Sequence, residues 1–253
     1  MIKLPFKLFL FFLLLFIVIT SSHNITLGEE PNLKKKSDVD PTGLTNMNYY
    51  FENDKTRIFE ETKTKNDKQF LSNNLLFTGK SHDKPYYEDI LIQFNNSTLT
   101  HKYKDQEIDI YGLVYSAYCY GGAIDKTQCI YGGVTLNTGN KLEKPKNIGV
   151  NVFVDNEKQT TFVISTSKKI VTAQELDIKT RTILNSSYNI YRKNGNIQKG
   201  YISFHNNDPS KTFNYDLYDI NGRQAHDFLK FYSDNQTVDS SSLHLDVYLF
   251  KSE

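Results

Sequence analysis

The sequence predicts an α+β protein built from two domains, and three observations predict it. Most apolar positions recur with a period of two, one central stretch has the period and the cap of a helix, and 253 residues suffice for two separate cores. The central stretch is residues 168–191, KKIVTAQELDIKTRTILNSSYNIY. Within it Thr172 and Glu175 have the spacing of a capping box, in which hydroxyl and carboxylate satisfy backbone N–H groups left free at a helix start. Leu176, Ile183 and Leu184 fall on one side at helical spacing, while Asp177, Lys179 and Arg181 point elsewhere. A scaffold helix packed along one stripe is expected.

Strand patterns lie on both sides of it. Ile90, Ile92 and Phe94 alternate with Leu91 and Gln93, and Ile108, Ile110 and Val114 line one face of the next segment. Ile148, Val150, Val152 and Val154 lead through Asp155-Asn156-Glu157-Lys158 to Thr161-Phe162-Val163-Ile164, which reads as a hairpin. A second helix is expected over residues 42–51, where Leu44, Met47 and Phe51 share a face. Periodicity gives the class but not the topology.

The first 22 residues read as a secretory signal peptide. Lys3 and Lys7 precede an unbroken apolar run over residues 8–19, followed by Thr20, Ser21 and Ser22. That run is shorter than the roughly 20 residues a spanning helix needs, so a secreted, soluble protein without membrane insertion is expected. The whole chain carries a net charge of +1, and losing the two leader lysines would bring this to about −1, which gives no support to nucleic-acid binding. The Asn-X-Ser/Thr triplets at Asn24 and Asn235 read as incidental.

Cys119 and Cys129 are the only cysteines. In an oxidising setting they predict one disulfide around a short polar loop, with a stabilisation of about 2–4 kcal/mol. A shared metal is the alternative, weakened because no histidine lies between them.

A second candidate for metal chemistry comes from strand alternation at the C-terminus. Leu243, Leu245, Val247 and Leu249 predict a core-facing side, which places His244 and Asp246 together on the opposite face. Upstream, Ile202 and Phe204 predict a strand that turns His205 outward with Tyr201 and Ser203. By itself His-X-Asp reads equally as a surface ion pair; a neighbouring strand carrying His205 would make a three-ligand site for Zn²⁺.

Two motifs give these parts a common frame. Lys168, Val171, Leu176, Asp177, Arg181, Leu184, Ile190 and Tyr191 match one signature, and Tyr131-Gly132-Gly133-Val134-Thr135-Leu136-Asn137 another, of the staphylococcal and streptococcal superantigens, which the chain resembles. The resemblance implies an N-terminal OB-fold β-barrel at about 52–142 and a β-grasp domain with a central helix at 143–253. Residues 23–51 would form an N-terminal arm and helix packed on the C-terminal domain. It further implies a secreted, noncatalytic toxin that couples MHC class II to the T-cell receptor Vβ region outside the peptide groove.

The resemblance also assigns residues. His205, His244 and Asp246 match the ligand positions of the zinc-dependent, enterotoxin A-like group, in which an open fourth position accepts a histidine from the MHC class II β chain; whether zinc-mediated crosslinking also joins toxin molecules is left open by the resemblance. Phe70 resembles the exposed loop aromatic that touches the MHC class II α chain, with an ordinary core Phe as the alternative. Asn46 matches a T-cell-receptor contact, whereas Ala117, Ala225 and His226 depart from Tyr, Ser and Asn at related positions. His82, near Lys84, and His23 are not assigned as ligands. In enterotoxins a disulfide loop placed like that of Cys119 and Cys129 is linked to emetic activity. Two other classes remain: a superantigen-like immune-evasion protein binding other host factors, and a secreted zinc hydrolase. The hydrolase lacks His-Glu-X-X-His, Gly-X-Ser-X-Gly and a glutamate beside a ligand.

Overall fold

The computed structural model describes residues 32–52, 57–64, 69–78, 89–116, 119 and 127–251. The leader, His23, His82, Lys84 and Ala117 lie outside the described residues. Helix α1 (Pro41–Tyr50) starts where Asp40 Oδ1 accepts a hydrogen bond from Thr42 N at 2.8 Å, with proline in the first turn. Its predicted face is buried through Leu44, Met47 and the following Phe51.

The next elements are β1 (Ile58–Lys63), β2 (Gln69–Leu71), β3 (Asn74–Phe77), β4 (Asp89–Gln93), α2 (Ser97–Tyr103), β5 (Ile108–Leu113), β6 (Thr127–Tyr131) and β7 (Val134–Leu136). They form two sheets, β1-β5-β7 and β2-β3-β4-β6. Between them lies a core that includes Phe59, Leu75, Ile90, Ile92, Ile110 and Val134. Leu91 departs from the expected alternation: it is fully buried because it joins a second core, with Tyr115 and Cys129, rather than facing water. Cys119 and Cys129 are disulfide-bonded, which removes the metal-pair reading.

The Tyr131–Asn137 motif is a joint between the two halves. Gly132 and Gly133 have φ of +57° and +74°, and a Cβ there would lie 2.2 Å from Tyr232 O and 2.3 Å from Tyr111 O, so only glycine fits. Beyond the turn, the Asn235 side chain accepts from Val134 N at 2.8 Å and donates to Val134 O at 2.9 Å and Tyr103 OH at 3.1 Å. Asn235 is buried, so its triplet serves the fold.

The C-terminal half contains β8 (Lys141–Val154), β9 (Glu157–Lys168), β10 (Ile170–Thr172), α3 (Ala173–Tyr188), β11 (Ile197–His205), β12 (Phe213–Asp216), α4 (Ala225–Phe228), β13 (Thr237–Asp239) and β14 (His244–Lys251). Its five-stranded sheet runs β12-β11-β14-β8-β9, with β14 antiparallel to β11 and parallel to β8. The β8–β9 hairpin turns in two residues, Asp155 and Asn156, at φ +50° and +67°; residues that tolerate the left-handed region permit a turn tighter than the four expected.

Helix α3 starts as predicted, with Thr172 Oγ1 accepting from Glu175 N at 3.2 Å. The reciprocal half of the capping box is replaced: the Glu175 carboxylate accepts from Lys168 Nζ at 2.8 Å, Lys179 Nζ at 2.6 Å and Thr166 Oγ1 at 3.1 Å. Nor is burial confined to one stripe, since Asp177 is 0% and Arg181 1% exposed. These charges can be buried because they pair with each other and hydrogen-bond to neighbouring polar groups. Arg181 Nε donates to both Asp177 oxygens at 2.9 and 2.8 Å, Tyr232 OH donates to Asp177, and Arg181 also donates to Tyr191 OH and to Asp216 O at 3.1 Å. Burial pushes the Asp177 carboxyl up against the opposing pull of Arg181; it also disfavours the Arg181 charge, but there Asp177 prevails and holds the guanidinium well above its ordinary value.

Two stability predictions result. Asp177→Ala leaves an unpaired buried guanidinium and should cost about 3–5 kcal/mol in denaturant unfolding, with part of the loss recovered by adding Arg181→Met. At Glu175, burial raises the carboxyl, but Lys168 and Lys179 outweigh it and hold the folded-state pKa below its ordinary value. Its contribution is therefore complete above the unfolded-state pKa and is lost as pH falls through the folded-state value. The difference in urea midpoint between the parent and Glu175→Gln should be full at neutral pH and close below about pH 4; a difference that does not vary with pH would contradict this.

Candidate metal centre

Alternation along β14 works as the sequence predicts. Leu245, Val247 and Leu249 are fully buried, His244 is exposed, and Asp246 is half-buried on the same outward side. The pairing of β11 with β14 sets His205 opposite His244 and Ser203 opposite Asp246. The two imidazoles stack with centroids 4.7 Å apart and planes 10° from parallel. His205 Nε2 lies 3.2 Å from Asp246 Oδ2.

The donor set fits zinc. One ligand atom from each of His205, His244 and Asp246 falls within 4.8 Å of the others. Tetrahedral zinc with bonds of about 2.0–2.1 Å requires donor separations of about 3.3 Å, close to the 3.2 Å between His205 Nε2 and Asp246 Oδ2. That nitrogen is buried, and the carboxylate of Asp246 is the polar group it faces. Burial raises the Asp246 carboxyl, but hydrogen bonds from His205 and Asn151 and the nearby imidazoles outweigh it and bring it below its ordinary value. The carboxylate is thereby kept in its ligating form.

The surroundings are less open than expected. Tyr201 and Ser203 share the outward face with His205, yet are only 8% and 4% exposed. Tyr201 stacks on Tyr248 at 4.8 Å and Tyr248 on Phe153 at 5.0 Å, forming an aromatic ladder beside the polar row. Sequence reasoning also passed over Asn151 and Thr161. Asn151, opposite Asp246 on β8, donates from Nδ2 to Asp246 Oδ1 at 2.8 Å, and Thr161 Oγ1 donates to Asn151 Oδ1 at 3.0 Å. The available signal was a polar residue at an outward position of the Val150–Val152–Val154 alternation.

The other expected contacts lie elsewhere. Asn46 is half-buried on α1, and its Nδ2 donates to Arg223 O at 2.7 Å, placing it beside the segment that leads into Ala225 and His226. Ala225 is buried, and His226 accepts from Tyr131 OH through its backbone carbonyl at 3.1 Å. The Phe70 backbone pairs with Leu75 in the β2–β3 hairpin, while its side chain lies outside the described residues.

Comparison with known proteins assigns both halves. Residues 46–136 match the staphylococcal/streptococcal toxin OB-fold domain and residues 148–249 the staphylococcal/streptococcal toxin β-grasp domain. Enterotoxin type E of Staphylococcus aureus is 39% identical over 254 residues, covering 95% of this chain and 97% of its own. Among solved structures, staphylococcal enterotoxin A co-crystallised with zinc has a TM-score of 0.82 at 35% identity, covering 87% of this chain and all of its own. The superantigen SpeA, soaked with zinc and complexed with a T-cell receptor β chain, gives 0.77 at 32% identity over 88% and 98% of the two chains. With its OB-fold and β-grasp halves both matched, the chain belongs to the staphylococcal and streptococcal toxin family, among the enterotoxin superantigens.

Proposed function

We propose that the chain is a secreted superantigen that couples MHC class II to the T-cell receptor Vβ region, with a zinc-dependent contact to the MHC class II β chain. The observation that carries this reading is the convergence of His205, His244 and Asp246 on the outward face of the five-stranded sheet. These three residues would hold Zn²⁺ and leave one tetrahedral position for a partner's histidine. The ion supplies coordinate bonds across the interface, so that affinity does not require a large apolar contact. An enterotoxin A structure contains zinc, and a SpeA structure contains a T-cell receptor β chain, which supports both arms of the proposal.

The remaining roles follow the same division. The barrel at 52–142 offers Phe70 to the MHC class II α chain, and the helix within 23–51 offers Asn46 to the receptor beside the β-grasp domain at 143–253. The Asn46 amide is already tethered to Arg223 O, so the contact is held rigidly and loses little side-chain entropy on binding. The leader at 1–22 directs export; among the described residues no helix is long and apolar enough to cross a membrane.

Surface plasmon resonance of the mature protein on soluble MHC class II, in zinc and then in excess chelator, tests the proposal. Tight binding in zinc should be largely lost on chelation, and His244→Ala or Asp246→Ala should reproduce that loss in zinc buffer. Phe70→Ala should lower only the chelator-resistant remainder, by about 2 kcal/mol or more if the ring is an anchor. Binding indifferent to both chelator and the His244 substitution would refute the zinc contact; absence of binding in either buffer would favour an immune-evasion protein with other targets.

A further inference from the structure

We propose that Asn151, held in orientation by Thr161, is a positioning residue that restricts Asp246 to ligation through one oxygen and so sets the affinity and ion preference of the metal site. The inference rests on the zinc reading above. The two Asp246 oxygens have different partners: Oδ1 accepts from Asn151 Nδ2 at 2.8 Å, whereas Oδ2 is the atom 3.2 Å from His205 Nε2. A carboxylate with one oxygen occupied by a donor and the other facing the imidazoles is suited to monodentate ligation. That is what a four-coordinate zinc ion takes, whereas Ca²⁺, with six to eight oxygen ligands, readily uses both oxygens of a carboxylate.

The amide of Asn151 could in principle face Asp246 with either end, and only the nitrogen end is useful. The acceptor-only carboxylate of Asp246 takes the nitrogen end, and Thr161 Oγ1, which donates to Asn151 Oδ1 at 3.0 Å, holds the amide in that orientation. The three residues occupy one rung across three strands, Thr161 opposite Asn151 and Asn151 opposite Asp246. Thr161 is exposed on β9, an edge strand of the sheet, so the row extends from that edge to the ligand. Partners of this kind, which hydrogen-bond a ligand rather than the ion, typically change metal affinity 10–100-fold.

Isothermal titration of the mature protein with Zn²⁺ alone, and separately with Ca²⁺ alone, tests the proposal alongside thermal unfolding in chelator. Asn151→Ala should weaken zinc binding about 10–100-fold and narrow the zinc-to-calcium preference, with only a small drop in the metal-free melting temperature. Thr161→Val should act in the same direction to a smaller extent, and Thr161→Ser should retain parental affinity because it keeps the hydroxyl. Zinc affinity unaltered in both Asn151→Ala and Thr161→Val, with the parent binding zinc, would overturn this inference alone. A parent that binds no zinc would overturn the underlying reading as well. A loss of affinity matched by a large drop in the metal-free melting temperature in both variants would mean that the row serves only the sheet.

Discussion

The antiparallel register of β11 with β14 is the constraint on which the outward site depends, because side chains on a strand alternate between faces. A slip of one residue would carry His244 and Asp246 into the core and Leu245 and Val247 into water. Full burial of Leu245, Val247 and Leu249 opposes that slip, as does the burial of Ile202 and Phe204 on β11. Each apolar side chain withdrawn from water contributes roughly 1.5–3 kcal/mol, so the five together make the alternative register strongly unfavourable. The geometry of the His205–His244–Asp246 cluster is thus specified by side chains on the opposite face of the sheet.

Helix α3 and the glycine turn serve the same end at longer range. The helix carries a buried ion pair, Asp177 with Arg181, tied to Tyr191, Tyr232 and the Asp216 carbonyl. Replacing a pair of this kind by well-packed apolar residues is often neutral, whereas removing one partner is strongly destabilising. Asp216 belongs to β12, the neighbour of β11, so the helix is anchored to the sheet edge nearest His205. At the other end, Gly132 and Gly133 permit backbone approaches that no side chain would allow, bringing β7 against the segment around Tyr232 and Asn235. The two matched signatures are therefore sets of packing requirements, and they do not include His205, His244 or Asp246.

Much of this was legible in the sequence for definite physical reasons. The period-two pattern of residues 243–250 located the strand and divided its faces, and Ile202 and Phe204 did the same for His205. Pairing between strands far apart in the chain is not encoded in periodicity, so the meeting of His205 with Asp246 required the resemblance to a family. Asp177 and Arg181 misled for a different reason. Their i, i+4 spacing was visible, but a charged pair on a helix is ordinarily solvated, and only tertiary packing supplies the carbonyl and phenol partners that permit burial. Asn151 escaped notice because its partner lies across a parallel β8–β14 pairing that joins the first and last strands of the sheet's chain order.

On the proposed function, the outward face of this sheet is a preformed half of an intermolecular joint, completed by a partner's ligand rather than by a substrate. Zinc K-edge X-ray absorption of the zinc-loaded mature protein addresses this most directly. The predicted spectrum has only nitrogen and oxygen neighbours at about 2.0–2.1 Å, with imidazole scattering that falls by one ring on His205→Ala and by one ring on His244→Ala. An equimolar zinc signal that neither substitution alters would place the ion elsewhere and contradict the account.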